Sequence, residues 1–326
     1  MSPLLDVQDL QVQFKDDFGE RIVTDHIAFH VDAREFLGIV GESGSGKSVT
    51  SLAIMRLLGE NGRIRSGSVS FDGQDLLSLS EKEMNRIRGK DLCMINQDAL
   101  TALDPSFTAG YQMIETIRTH ITADKKQARQ IAEDVLYAIG LTDGRSFMKK
   151  YPHELSGGMR QRLLIAMAVA CNPKLLIADE PTTALDVTIQ AEIMRMLRKI
   201  QTTLGMAMIL ITHDIGLIAQ MTDRVMVMYA GQIIEEAKVE ALFARPLHPY
   251  TRMLLASAPG VRDDKSRRLE NIQGTVPEDY TELTGCRFAG RCPFAMAACQ
   301  KPQAYREVGL AHKVRCHRAR EIEYVR

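Results

Sequence analysis

An apolar run, Phe36-Leu37-Gly38-Ile39-Val40, leads directly into Gly41-Glu42-Ser43-Gly44-Ser45-Gly46-Lys47-Ser48, and the pattern from Lys47 to Leu58 is helical. A strand that is apolar at every position is buried on both faces, as in a parallel sheet covered by helices. Glycines placed between such a strand and a helix let backbone N–H groups turn inward, and the helix aims the positive end of its dipole at whatever the loop encloses. The spacing G-x-x-x-x-G-K-[ST] is that of a P-loop, in the strand-to-helix setting its mechanism requires. It commits the chain to an α/β fold and to a bound polyphosphate. Gly41, Ser43, Gly44, Ser45, Gly46, Lys47, Ser48 and Val49 are the expected contacts. Lys47 would bridge the β- and γ-phosphates, and Ser48 would offer its hydroxyl to Mg²⁺.

The rest of the chain alternates short apolar stretches with helical patterns up to about residue 245. Leu5 to Phe14 and Ile27 to Val31 alternate in polarity, which predicts half-exposed antiparallel strands. Ala128, Ile131, Ala132, Val135, Leu136 and Ile139 keep helical spacing, with Gly140 as a stop. Lys174 to Ala178 and Met206 to Thr212 predict central strands, joined by a helix carrying Ile189, Ile193, Met196, Leu197 and Ile200 on one face. Val225 to Tyr229 and Gln232 to Glu236 flank Ala230-Gly231, a hairpin turn. After Pro246 prolines and cysteines accumulate and periodicity fades, which predicts a small loop-rich extension. The expected organisation is a nucleotide-binding domain over residues 1–245, with a helical subdomain at about 98–158, and an extension over 246–326.

Composition removes other classes. There are 41 Lys+Arg against 41 Asp+Glu, so nothing points to a polyanion such as nucleic acid as partner. The longest apolar run, Leu163 to Cys171, falls short of the ~20 residues that cross a bilayer. The N-terminus has no basic start followed by an apolar stretch, so no cleaved signal is expected and the cytosol is the expected compartment.

A P-loop alone leaves kinases, GTPases and motor ATPases open. Leu175-Leu176-Ile177-Ala178-Asp179-Glu180 is an apolar strand ending in two carboxylates. Asp179 is placed to hold Mg²⁺ and Glu180 to act as base toward an attacking water. Upstream, Leu155-Ser156-Gly157-Gly158-Met159-Arg160-Gln161-Arg162 puts a serine and two glycines at a helix N-terminus, a second anion site. With this segment the chain resembles the ATP-binding cassette (ABC) superfamily. The resemblance implies a P-loop ATPase domain with an antiparallel β subdomain and a helical subdomain. It also implies dimerisation, in which Ser156, Gly157 and Gly158 of one cassette close over nucleotide held by the other. By the same resemblance Gln97 is the loop glutamine that contacts Mg²⁺ and senses the permease. Asp186, in Ala184-Leu185-Asp186, reaches across the dimer, and His213 contacts the γ-phosphate. The family also places an aromatic ring against adenine, for which Phe14 and Phe18 are the candidates.

A closer resemblance covers nearly the whole chain: the ATP-binding subunits of the dipeptide, oligopeptide and nickel importers. It rests on Thr101-Ala102-Leu103-Asp104-Pro105, Ala178-Asp179-Glu180-Pro181-Thr182-Thr183-Ala184-Leu185-Asp186-Val187-Thr188, Met228-Tyr229-Ala230-Gly231 and His248-Pro249-Tyr250-Thr251. It departs at Asn96, Ala99 and Leu100, where the family usually has an aromatic and a proline, and this touches the permease contact. The implied activity is ATP hydrolysis driving peptide uptake at the cytoplasmic face of the cell membrane. Implied partners are two transmembrane permease subunits, a second ABC ATPase subunit, and an extracellular solute-binding protein reached through the permeases. The alternatives are a nickel or other small-solute importer, a soluble ABC ATPase of ribosomes or DNA, and a regulatory binding module.

Six cysteines remain. Cys93 and Cys171 stand alone and fit a core, whereas Cys286, Cys292, Cys299 and Cys316 are separated by five, six and sixteen residues. In a reducing compartment such a group suits a metal better than disulfides. Structural zinc favours tighter pairs, and four thiolates on irregular loops are the usual ligand set of an iron-sulfur cluster. The resemblance implies a 4Fe-4S cluster, with zinc as the alternative. His312 and His317 lie close in sequence and fit exposed loop positions.

Overall fold

Residues Leu5, Val7, Leu10 and Val12 are all fully buried, although their spacing changes parity between Val7 and Leu10. A regular strand turns alternate residues to opposite faces, so this pattern requires an extra residue. A computed structural model of the chain, describing residues 2–17, 19–96, 101–183, 185–257, 272, 274–277, 279–280, 283–309 and 311–321, shows where it lies. Strand β1 (Leu5–Asp16) shifts register between Val7 and Leu10, and Asp9 takes a φ of 52°. Opposite stands Gly67, φ 102°, where a Cβ would lie 2.6 Å from the Asp9 carbonyl oxygen. Only glycine fits there.

The chain forms two compact units. The first holds residues 1–31, 36–77 and 210–326. In it β1 pairs antiparallel with β2 (Gly19–Val31) and β4 (Gly62–Phe71), and β5 (Gln74–Asp75) extends β4. That is the antiparallel sheet expected from the alternating N-terminal pattern. Strand β3 (Phe36–Val40) is buried at all five positions and runs parallel to β9 (Arg224–Tyr229). Burying each of its large apolar side chains stabilises the fold by roughly 1.5–3 kcal/mol. Helix α1 (Lys47–Ile54) follows β3 and stops four residues short of the expected Leu58. The β9–β10 (Gln232–Lys238) hairpin turns at Ala230 and Gly231, both at positive φ, as a tight two-residue turn requires. Helices α8 (Ile215–Met221) and α9 (Val239–Ala244) flank the hairpin in sequence.

The C-terminal extension belongs to this first unit. After helix α10 (Pro249–Ser257) its described residues are mostly irregular, as their lack of periodicity predicts. Two short strands, β11 (Arg306–Glu307) and β12 (Lys313–Val314), pair with each other, and β12 adds to β10. Glu235, with no exposed surface, accepts backbone N–H bonds from Leu247 (2.6 Å) and His248 (2.8 Å). His312 Nε2 lies 2.8 Å from the same carboxylate and is buried, which corrects the expectation of an exposed loop histidine.

The second unit holds residues 32–35 and 78–209. Parallel strands β6 (Leu92–Ile95) and β7 (Leu175–Asp179) accompany α2 (Glu81–Ile87), α3 (Ala109–His120), α4 (Lys125–Ala138), α5 (Gly144–Phe147), α6 (Gly157–Val169) and α7 (Val187–Leu204). In α4, Asp124 caps the first turn, Ala128, Ala132 and Leu136 form the buried stripe, and Gly140 (φ 87°) follows the end. Strand β8 (Ala207–Thr212), buried throughout, carries the chain from the second unit back into the first.

Candidate nucleotide site and cysteine cavity

Between β3 and α1, residues 41–46 form a loop whose shape depends on its glycines. A Cβ on Gly41 would collide with the Met228 carbonyl oxygen, and one on Gly46 (φ 95°) would lie 3.0 Å from that of Val23. Gly44 has open space around it, so there glycine serves its φ of 78°. The N-cap of α1, Gly46, has no side chain to cap the first turn, and such helix starts favour anions. Lys47, only 6% exposed, donates from Nζ to the carbonyls of Gly41 (2.8 Å) and Glu42 (3.0 Å) and to Ser45 Oγ (3.4 Å). The loop thus encircles an ammonium group at a helix N-terminus, an arrangement whose charge suits a polyphosphate. Ser48 and Val49 are half-buried in the first helical turn.

In the same unit His213 follows β8 and is exposed. Its placement is fixed locally. The Asp214 N–H donates to Thr212 Oγ1 (3.0 Å), and Asp214 Oδ1 caps α8 through the N–H groups of Gly216 (2.8 Å) and Leu217 (3.2 Å). Phe14, half-buried in β1, lies against Gly62, where a Cβ would come within 2.8 Å of its ring. Phe18 lies outside the described residues, as do Gln97, Ala99 and Leu100, while Asn96 is exposed.

The second unit carries the acidic pair. Asp179 ends β7 and is 4% exposed. Glu180 has a φ of 46°, and its Oε2 accepts a hydrogen bond from Thr183 Oγ1 at 2.9 Å. A left-handed glutamate costs about 1–3 kcal/mol and is the kind of strain kept at functional positions. Nothing in the residue pattern signals it. Ser156 caps α6 by accepting from the Met159 N–H (3.4 Å), and Asp186 caps α7 from the Ile189 N–H (3.0 Å). A Cβ on Gly157 would meet Leu185 at 3.2 Å, and one on Gly158 would meet Ile189 at 2.8 Å. The two glycines therefore let the exposed start of α6 pack onto the segment holding Asp186.

All four C-terminal cysteines line one cavity, together with His248, Phe288, His317 and Arg318 among others. They are unbridged thiols. Burial, and the neighbouring thiols, push Cys286 and Cys316 up to about 11, and burial also raises Cys292. Such groups become thiolates together only against compensating positive charge. Among the described residues no three His, Cys, Asp or Glu side chains stand close enough to share a single metal ion. Cys93, by contrast, is buried in β6 with its thiol pushed up to about 12 by burial, and Cys171 is half-buried with its thiol also raised by burial.

Sequence reasoning missed the groups that join this cavity to the loop. Tyr229, Tyr250 and Phe288, each buried, form a cluster with ring centroids 4.8–5.4 Å apart. From it Tyr250 Oη accepts the Glu42 N–H at 2.9 Å, and Arg291 Nη1 donates to Glu42 Oε2 (3.0 Å) and to Tyr229 Oη (3.2 Å). Arg287 donates to the Ala230 carbonyl and to Asp25 Oδ2, both at 2.5 Å. Burial pushes the Asp25 carboxyl up, but the Gln11 amide, the Arg287 charge and the Gln232 amide together hold it below its usual value. The one available signal was adjacency, Cys286-Arg287 and Arg291-Cys292.

Comparison with known proteins agrees with this layout. The ABC transporter family pattern matches residues 24–183, and that of the oligopeptide/dipeptide transporter C-terminal region matches residues 234–299. The dipeptide transport ATP-binding protein DppD of Haemophilus influenzae is 49% identical over 316 residues, 96% of this chain and 95% of the relative. DppD of Escherichia coli is 46% identical over 315 residues, 96% of each chain. Among solved structures, a dimeric ATP-binding cassette in a post-hydrolysis state with ADP and Pi bound has a TM-score of 0.65 and 26% identity. The match covers 98% of that cassette but 72% of this chain. A cassette of Clostridium perfringens from an ABC transporter complex has a TM-score of 0.63 and 27% identity, over 75% of this chain and 92% of its own. With close to half of its residues shared along almost the full length of its relatives, this chain belongs to the ABC transporter family, in the group of dipeptide and oligopeptide transport ATP-binding subunits.

Proposed function

We propose that this chain is the ATP-hydrolysing subunit of a peptide importer, peripheral at the cytoplasmic face and working with two permease subunits, a second cassette and a solute-binding protein. The observation that carries the ATPase reading is the ring of Gly41, Glu42 and Ser45 around the Lys47 ammonium, at the uncapped start of α1. Lys47 and the N–H groups of Gly41 to Val49 would hold the β- and γ-phosphates, and Phe14 would stack on adenine. Ser48, Asp179 and Gln97 would hold Mg²⁺, which supplies charge neutralisation between the phosphates. Glu180 would draw a proton from the attacking water, and His213 would contact the γ-phosphate. Ser156, Gly157, Gly158 and Asp186 would complete the site of the partner cassette. Residues 1–245 then form the cassette, with its helical subdomain at about 98–158, and residues 246–326 the extension. ATPase activity of the complex with its permeases should rise when the solute-binding protein is loaded with peptide. Stimulation by nickel instead, or by neither, would refute the peptide reading.

For the extension, we infer a 4Fe-4S cluster held by Cys286, Cys292, Cys299 and Cys316. Support comes from four thiols lining one cavity, with Arg318 beside them. Their separation along the chain, without tight C-x₂₋₄-C pairs, suits a cluster of several irons better than zinc. Bound there, it would supply cross-links that the extension's small core lacks. Iron and sulfide content of anaerobically prepared protein test it.

A further inference from the structure

Two arginines sit beside two of the cavity's cysteines, and each reaches the phosphate loop by its own route. Arg291, next to Cys292, donates to the Glu42 carboxylate at 3.0 Å. Arg287, next to Cys286, donates to the Ala230 carbonyl at the hairpin turn, and the next residue of that turn, Gly231, donates its N–H to the Ser45 carbonyl at 3.0 Å. Glu42 and Ser45 are the residues whose carbonyl and hydroxyl oxygens receive the Lys47 ammonium. The arginines stand on one short stretch, 286–292, closed by its own backbone bonds from Ala289 to Cys286 (2.9 Å), Arg291 to Phe288 (3.0 Å) and Cys292 to Ala289 (3.3 Å).

We propose that the four-cysteine site sets the nucleotide affinity of the P-loop, with Arg287 and Arg291 as the positioning residues that carry its state. This rests on the metal-cluster reading above, whereas the arginine contacts stand on geometry alone. With Cys286 and Cys292 both tied to one centre, the stretch between them is fixed at both ends and its two arginines hold the loop around Lys47. With the ties gone, Phe288, packed against Tyr229, Tyr250 and His248, still anchors the middle of the stretch. The effect on affinity is therefore graded rather than absolute.

The Glu42 side chain makes the link sensitive. Its Oε2 is taken by Arg291, and its Oε1 is buried with no hydrogen-bond donor among the described residues. Removing the guanidinium leaves a carboxylate in the loop short of its compensating charge, close to where phosphates would bind, and the two repel.

The test uses the full-length chain, prepared anaerobically, as wild type and as Arg291→Ala, Arg291→Lys, Glu42→Gln, Cys292→Ser and the pairs Arg291→Ala/Cys292→Ser and Glu42→Gln/Arg291→Ala. Iron content is measured together with the dissociation constant of a fluorescent MgATP analogue. In the permease complex, KM for ATP is compared with kcat. Arg291→Ala should keep its iron and weaken analogue binding about fivefold to tenfold, the scale of one hydrogen bond. KM should rise by a larger factor than kcat falls, and Arg291→Lys should recover part of the loss. Glu42→Gln cuts the same link from the loop side, and should make the affinity insensitive to Arg291→Ala. Cys292→Ser should lose iron and weaken binding, and its pair with Arg291→Ala should be weaker by clearly less than the product of the two single effects. Iron lost from Cys292→Ser with unchanged affinity, or fully multiplicative effects, would overturn the coupling while the cluster stands. Wild-type protein without iron would overturn the cluster, and the coupling with it.

Discussion

Tyr250 and Glu42, 208 positions apart in sequence, meet in a 2.9 Å hydrogen bond in which the Glu42 N–H donates to the tyrosine hydroxyl. Tyr250 has no exposed surface, and burial pushes its phenol well above its usual range, so it stays a neutral hydroxyl at any working pH. Tyr250→Phe keeps the ring packed on Tyr229 and Phe288 and leaves the loop N–H without its acceptor. The expected loss is about 1–2 kcal/mol of unfolding free energy, read as a lower urea midpoint at unchanged slope. An unaltered midpoint would mean the bond contributes nothing to holding the loop.

In the proposed site Lys47 is the group on which phosphate binding would turn. Wild-type protein with MgATP at about 100 times its dissociation constant should gain about 2.7 kcal/mol of stability. Lys47→Ala should lose most of that gain while unfolding cooperatively without ligand, because its bonds to Gly41, Glu42 and Ser45 join residues of one short loop. Thermal melts with and without MgATP give the comparison, and an equal ligand-induced shift in both proteins would remove Lys47 from the site.

Cys292→Ser should yield protein with less iron and sulfide, a lower melting temperature and poorer solubility. The residues of the P-loop remain complete in that variant. Full iron and normal melting would show that Cys292 is not a ligand.

Much of this was legible in the sequence because the signals were local. The P-loop, the Asp179-Glu180 strand end, the Ser156 cap and the Ala128-Ala132-Leu136 stripe each declare themselves within a dozen residues. What escaped depended on partners far away in the chain. The parity change in β1 is allowed by Gly67 across the sheet, and His312 is buried because Glu235 lies opposite it. The Tyr250 motif was visible as a motif, but its role required Glu42 beside it. The left-handed Glu180 is backbone strain, which residue type does not encode.

The central claim, that Glu180 serves ATP hydrolysis in a peptide-importing complex, is tested most directly by single-turnover hydrolysis in that complex with wild type and Glu180→Gln. The glutamine keeps the side chain's size and can still meet the Thr183 hydroxyl, but it is not a base. The account predicts retained ATP binding with hydrolysis slowed at least about 100-fold, the scale of general-base catalysis. Hydrolysis at the wild-type rate in Glu180→Gln would contradict it.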